Sequence, residues 1–338
     1  MNIGIIGTGV MGSNHLRVLR SIPQCRLTCA VDLKRENLDK ACLGLDIEKM
    51  SDYRQALPWV DAVMVATPTQ EHHVISRFFL ENGKHVMIEK PICKTLAEAD
   101  QLIALSEEKR LVLAVGHLER FNPAVEYLRG LVEKPRFIEV QRLGSFSPRS
   151  LDIDVILDLM IHDLDIILQW DGSGVKDIRA CGIPVISRQI DIANVRLEFH
   201  SGLVANLTAS RVSQDKTRKL RIFQKDLYMS ADYQTRSVKT IRLQNGQIRE
   251  NVPAIPNVEP LYNLWQNFIK TVAGGLPQMD AVFQAGSPQG DAALRGGSAR
   301  IVSGADGRAA LRLALDISAA IGTVAPEGTP PFRTAADA

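Results

Sequence analysis

Short apolar runs separated by amphipathic stretches fill the first third of the chain. Asn2-Ile3-Gly4-Ile5-Ile6, Arg26–Val31, Asp61–Ala66, His85–Ile88 and Leu111–Val115 are strand-length, and none shows the strict alternation of a half-exposed strand. Each reads as a strand buried on both faces of a parallel sheet. The intervening stretches read as helices: one carrying Leu16, Val18, Leu19 and Ile22, then Glu36–Leu43, Glu71–Asn82 and Thr95–Glu108. Thr95 is the N-cap of the last and Glu98 its capping-box partner. This alternation predicts a doubly wound parallel sheet of Rossmann type over residues 1–121.

Past Asn122 the pattern changes. Helices are predicted over Pro123–Val132 and Asp154–Gln169, and a strand over Phe137–Leu143. Alternating strands follow at Val175–Ile186, Asp191–Phe199, Val204–Arg211, Lys219–Phe223 and Asp226–Ala231, with Ser201-Gly202 as one tight turn. The expectation is an α+β domain over residues 122–324 on an open, mostly antiparallel sheet. One face of that sheet is free to join copies of the chain into a dimer or tetramer. Gly274–Gly304 reads as a long loop, glycine-rich across Met279–Arg300. Arg308–Ile321 reads as a final helix, and residues 325–338 as a disordered tail.

Composition narrows the class. At 338 residues the chain exceeds one hydrophobic core, and 45% hydrophobic content supports globular packing. The 40 basic residues are scattered and the net charge is +2, so no nucleic-acid stripe emerges. The five cysteines, Cys25, Cys29, Cys42, Cys93 and Cys181, lack metal-ligand spacing and read as reduced thiols of a cytoplasmic protein. No metal site is expected from them, and no signal peptide or membrane span, because the first strand starts at the initiator methionine.

Chemistry enters at Gly7-Thr8-Gly9-Val10-Met11-Gly12, directly between the first strand and the first helix. Gly7 permits the turn, Gly9 lets backbone approach a pyrophosphate, and Gly12 lets the helix pack on the strand. Asp32, at the end of the second strand, is placed to accept from the adenosine ribose hydroxyls and to repel a 2′-phosphate. NAD is therefore expected over NADP, with Lys34 and Arg35 as the counter-argument. Glu89-Lys90-Pro91 follows a strand of the same sheet. Lys90 there points its ammonium into the crevice where such sheets bind ligands, unless Lys-Pro is only an exit turn. Farther on, the Asp154–Gln169 helix is apolar nearly all round yet carries Asp158, His162, Asp163 and Asp165. On regular α-helical spacing Asp158, His162 and Asp165 share a face and Asp163 points elsewhere. Buried ionisable groups are costly unless paired or functional, so this is either a structural His–Asp pair or a histidine oriented for proton transfer.

Taken in order, several motifs resemble the Gfo/Idh/MocA oxidoreductases, named for glucose–fructose oxidoreductase, inositol dehydrogenase and a rhizopine-catabolism protein. They are the glycine fingerprint, Ala66-Thr67-Pro68 with His72, Glu89-Lys90-Pro91, Gly116-His117 with Arg120-Phe121, and Asp158-Leu159-x-x-His162-Asp163. The resemblance spans essentially the whole chain. It implies a catalytic group of Lys90, Asp158 and His162, and places Ala66, Thr67, Pro68, His72, Glu89 and Lys90 beside the cofactor. Gly116–Pro123 and Arg142–Arg149 are similar to a branch of the family that oxidises the 3-hydroxyl of UDP-N-acetylglucosamine. In that branch an aminotransferase partner converts the ketone to a 3-amino sugar for lipid A or related glycans. Its implied substrate residues are Lys90, Arg120, Asn122, Arg149, Asp158 and His162, with Arg142 a further candidate for the diphosphate.

To oxidise a secondary alcohol, a base must take the hydroxyl proton as the hydride leaves. His162 held by Asp158 is the favoured base, with Lys90 stabilising the developing alkoxide; the reverse assignment is open, since a lysine beside a cationic nicotinamide can act as base. A free-polyol dehydrogenase, a sugar–sugar oxidoreductase that keeps its cofactor, and a non-catalytic NAD sensor are the competing readings.

Overall fold

The computed structural model describes residues 1–146, 153–274 and 301–322. The loop expected over 274–304 and the tail expected from 325 fall almost entirely outside them. In chain order the elements are β1 (Asn2–Ile6), α1 (Val10–Leu19), β2 (Arg26–Val31), α2 (Arg35–Ala41), β3 (Glu48–Met50), β4 (Ala62–Val65), α3 (Thr69–Glu81), β5 (His85–Ile88), α4 (Leu96–Lys109) and β6 (Leu113–Val115). Then follow α5 (Pro123–Arg129), β7 (Pro135–Leu143), a π-turn at Ile156–Met160 leading directly into α6 (Ile161–Trp170), and β8 (Val175–Ile183) to β9 (Ile192–Phe199). The chain ends with β10 (Val204–Ser210), β11 (Thr217–Gln224), β12 (Leu227–Asp232), β13 (Ser237–Gln244), β14 (Gln247–Asn251), α7 (Pro260–Gly274) and α8 (Gly304–Ile321).

The first sheet has the order β3-β2-β1-β4-β5-β6, all parallel. Its central strands are apolar throughout because helices cover both faces; every residue of β4 is fully buried. The order reverses direction between β1 and β4, and ligands bind such sheets outside the carboxyl ends of the strands at that switch point. Thr95 and Glu98 form the expected reciprocal capping box at the start of α4.

The second sheet has the order β14-β13-β12-β11-β7-β10-β9-β8, antiparallel except for the parallel β7–β10 pair. Alternation does the sorting here. On β9, Ala193, Val195, Leu197 and Phe199 are buried while Asn194 and Arg196 are exposed. The inward face packs on α6 and α8 through Ile166, Ile167, Leu313 and Ile317. Two helices knit the halves together: α7 returns to the first core with Leu264, Trp265 and Phe268, and α8 lends Leu311 to it.

The helix expected over Asp154–Gln169 is in two parts. The π-turn widens the helix at Ile156–Met160, so the chain does not keep regular α spacing between Asp158 and the residues of α6. α8 also starts earlier than the expected Arg308, because Ser303 caps it in a box with Asp306. Strands β3, β13 and β14 and helix α7 carry no sequence-based prediction.

Candidate active site

A cleft of about 690 Å³ lies between the β1 and β4 switch point and the π-turn segment. Its cofactor side is made of backbone. Gly7 has φ +92°, and a Cβ there would lie 2.6 Å from the Ala66 carbonyl oxygen. A Cβ on Gly12 would lie 1.8 Å from the Gly7 oxygen, so α1 sits hard against the turn. A Cβ on Gly9, by contrast, would meet open space, the room a pyrophosphate needs. The first turn of α1 carries no acidic residue, which leaves its amide end free of a competing carboxylate. Val10, Met11, Ala66, Thr67 and Pro68 line this side, and the Thr67 hydroxyl is buried without a partner.

Asp32 ends β2 as expected. Burial opposes its charge, but hydrogen bonds hold its pKa below the ordinary carboxylate value. Thr8 donates to Oδ2 from its amide at 2.8 Å and its hydroxyl at 3.0 Å; the Lys34 amide donates to Oδ1 at 2.8 Å. Asn37 reaches both oxygens at 3.2 Å, the longest of these contacts and the one most easily exchanged for a ribose hydroxyl. Arg35 turns away to Asp39. Thr8 thus serves the site by holding Asp32. Backbone, open space and carboxylate all fit an NAD molecule laid across Gly7–Gly12.

The catalytic candidates face that side. Lys90 Nζ donates to the Asp158 carbonyl oxygen at 2.6 Å and to Asp158 Oδ1 at 3.0 Å. An ammonium has three donors, so one remains for a substrate oxygen. Asp158 therefore holds Lys90 and not His162, correcting the expected Asp158–His162 pair; the π-turn breaks the spacing on which that pair rested. His162 lines the cleft with its Nδ1 buried and unpartnered, and its ring meets His117 edge-on at 5.7 Å between centroids. Burial first, then the Lys90 and Arg142 charges, hold the His162 pKa well below the ordinary histidine value, so the ring is neutral at neutral pH. His117 is fully buried with both ring nitrogens unpartnered, and burial lowers its pKa too.

Behind Lys90 runs a buried relay with no counterpart in the sequence reading. Trp265 on α7 donates its indole N–H to His15 Nδ1 at 2.9 Å, and His15 Nε2 lies 2.8 Å from Glu89 Oε1. Because an indole only donates, Nδ1 is the acceptor and Nε2 carries the proton toward Glu89. Glu89 Oε2 in turn accepts the Lys90 amide at 3.1 Å. Burial opposes the Glu89 charge, yet His15 and Lys90 keep its pKa below the usual value. Glu89, expected at the cofactor, thus fixes the Lys90 backbone to the glycine helix. Trp265 announces itself by the helical spacing of Leu261, Leu264, Trp265 and Phe268, but nothing in sequence links it to His15.

Five other expectations need correction or fall outside view. His72 does not line the cleft; it is buried between the Pro91 and Thr67 carbonyl oxygens, each 2.9 Å from a ring nitrogen, and pins the two loops together. Arg120 is not free for a diphosphate. It forks onto Asp165, with Nε to Oδ2 at 2.8 Å, and reaches Asp306 at 3.2 Å, tying the end of the first sheet to α8. Asn122 caps α5 through the Ala124 amide and bonds Glu119 and the Tyr233 carbonyl, so its side chain is occupied too. Arg149 lies outside the described residues. Arg142 is also consumed: it forks onto Asp163 at 2.7 and 2.9 Å and gives Nη1 to Glu119 at 3.0 Å. Cys93 lines the cleft, but burial pushes its thiol up to about 12, so it offers no thiolate.

Comparison with known proteins agrees with this geometry. Residues 1–117 match the model of an oxidoreductase family with an NAD-binding Rossmann fold, GFO_IDH_MocA. The chain is 39% identical over 259 residues to the UDP-N-acetylglucosamine 3-dehydrogenase of Acidithiobacillus ferrooxidans, a match covering 76% of this chain and 81% of that one. A solved structure of the enzyme of that name from the same organism superposes with a TM-score of 0.83 at 32% identity, covering 95% and 97% of the two chains. The myo-inositol 2-dehydrogenase of Thermotoga maritima is 30% identical over 232 residues, 62% of this chain and 69% of its own.

Proposed function

The chain belongs to the Gfo/Idh/MocA family of NAD-binding oxidoreductases, and from that membership we propose that it oxidises the 3-hydroxyl of UDP-N-acetylglucosamine to a ketone. The observation that carries this reading is the 39% identity to a dehydrogenase of that name across most of both chains. It is supported by a cleft that sets Lys90, Asp158 and His162 against the nucleotide turn. Bound NAD supplies the hydride acceptor. Lys90, anchored through two of its donors on Asp158, gives its remaining N–H to the substrate oxygen and stabilises charge as the C–H bond breaks. His162, neutral because burial and neighbouring cations disfavour its proton, accepts the hydroxyl proton at Nε2, the ring nitrogen that is not sealed in the interior. The low proton affinity of that ring lets it release the proton once the ketone has formed.

Alcohol oxidation by NAD is uphill near neutral pH, so a consuming step belongs with the enzyme. An aminotransferase that turns the ketone into a 3-amino sugar for lipid A or a related glycan is the proposed partner. We further propose a cytoplasmic homo-oligomer built on the outer face of the second sheet. None of the helices among the described residues is long and apolar enough to cross a membrane. A free-polyol dehydrogenase is the second reading. It is favoured by the likeness to the inositol enzyme and by the commitment of Arg120 to Asp165, which removes a cation expected at the diphosphate. Incubation with UDP-N-acetylglucosamine, NAD, glutamate and a 3-aminotransferase should yield a 3-amino nucleotide sugar by mass spectrometry. Absence of that product, with brisk NAD reduction by myo-inositol, overturns the nucleotide-sugar reading in favour of the second.

A further inference from the structure

Arg142 and Arg218 are the arginines that line the cleft among the described residues, and with Arg142 forked onto Asp163 only Arg218 keeps its guanidinium free of hydrogen bonds. Arg218 sits on β11 directly opposite Arg142 of β7 in the antiparallel register. Like charges in that position repel and weaken a sheet. A single carboxylate, Glu119, is shared between them, and Arg142 holds its Oε1 at 3.0 Å while Arg218 stands off at 3.6 Å. The other Glu119 oxygen goes to Asn122. Arg142 also takes both oxygens of Asp163. Among the described residues the Arg218 guanidinium makes no hydrogen bond, although its side chain is only 36% exposed. A planar group with five donors is thus two-thirds desolvated, faces the cleft, and lies against another cation with only a long, shared ion pair to offset it.

An arrangement that costs stability at a cleft wall gains its compensation when an anion enters. Guanidinium forks match phosphate oxygens, and Arg218 and His162 line the same cleft, so the anion belongs to the substrate undergoing oxidation. We propose that Arg218 binds a phosphate oxygen of the nucleotide sugar's diphosphate and so selects nucleotide sugars over free polyols. The assignment rests on the nucleotide-sugar reading above. Neutral sugars leave the guanidinium unpaired and gain nothing from it.

The experiment compares wild type, Arg218→Gln and Arg218→Lys at saturating NAD. The readouts are KM and kcat for UDP-N-acetylglucosamine, inhibition by UDP alone, and turnover of free N-acetylglucosamine and myo-inositol. Loss of a charged hydrogen bond should raise KM for the nucleotide sugar and weaken UDP inhibition by roughly 10- to 100-fold. Turnover at saturation and NAD affinity should stay near wild type, the unfolding midpoint should hold level or rise as the like-charge contact is relieved, and Arg218→Lys should fall between in KM. The assignment is overturned if Arg218→Gln leaves KM and UDP inhibition unchanged. It is equally overturned if NAD affinity and the unfolding midpoint fall in step with them, the mark of a purely structural residue. Wild type alone decides the underlying reading: if it oxidises neutral sugars but not UDP-N-acetylglucosamine, both the function and the Arg218 assignment fail before any variant is compared.

Discussion

The two walls of the cleft are built from different materials. The cofactor wall is backbone: a glycine turn with φ +92° at Gly7, a helix packed on it at Gly12, and open space before Gly9. Its phosphate-facing part is local, contained in Gly7–Gly12, with Asp32 and Ala66–Pro68 set beside it. The facing wall is side chains, and it is non-local. On it and behind it, Asp158, Asp163 and Asp165 leave one helical segment toward three cations from three other places, Lys90 after β5, Arg142 on β7 and Arg120 after β6. A backbone site needs little beyond correct turns. A charged wall needs every member matched, because a buried charge that loses its partner costs more than the pair ever contributed. That difference makes the second wall fragile to substitution, and it makes a weakly matched member, such as Arg218, informative.

The largest expected effect breaks the charged wall from inside. Arg142→Met strands Asp163 and Glu119 in the interior and should cost about 3–5 kcal/mol in denaturant unfolding. Adding Asp163→Leu should restore a good part of it. If the single variant is within about 1 kcal/mol of wild type, the wall is not held by matched charges.

Next come the groups proposed to touch substrate. Lys90→Ala and His162→Ala should each lower kcat by on the order of 10²- to 10³-fold, about 3–4 kcal/mol of transition-state stabilisation, while NAD affinity holds within a few-fold. Calorimetric NAD titration beside steady-state rates makes the separation. A parallel loss of NAD binding would mean the walls are not separable.

The cofactor wall should respond the other way. Gly9→Ala meets no atom in the protein, so its unfolding midpoint should stay put while NAD affinity drops by roughly tenfold. A midpoint shift with intact NAD binding would contradict the role given to that open space.

A smaller effect appears with pH. The folded-state pKa values of His117 and His162 lie below the ordinary 6.5, so the unfolded chain binds their protons more readily. Their contribution to stability is complete above about pH 6.5 and is lost as pH falls below it, with a slope of up to about 1.4 kcal/mol per pH unit for each ring. By the same depression, kcat/KM for oxidation should stay level on passing below 6.5, where an unperturbed histidine base would be half lost. Stability curves and rate profiles at pH 5–8 check both.

The local wall was the one legible in sequence. Glycine spacing, the flanking apolar strand and Asp32 all lie on neighbouring residues, and each landed where the spacing put it. Lys90, Asp158 and His162 do come together at one cleft, but not in the expected pairing, since a π-turn at Ile156–Met160 alters a face that regular helical spacing assigns. Arg120 and Asn122 carried a substrate expectation because motif position says nothing about which carboxylate or cap will claim a side chain. Strand β14 escaped notice for a different reason: all of its residues are exposed, so no alternation marks it. His15 and Trp265 meet only through the return of α7 to the first core, a long-range contact that no local pattern encodes.

The central claim, that hydride leaves C3 of a nucleotide sugar in this cleft, is tested most directly by UDP-N-acetylglucosamine deuterated at C3. Wild-type enzyme given this substrate and NAD should return reduced cofactor one mass unit heavier, and substrate deuterated at C4 should return it unlabelled. Reduced cofactor without deuterium from C3, or none formed while myo-inositol is oxidised, would contradict it.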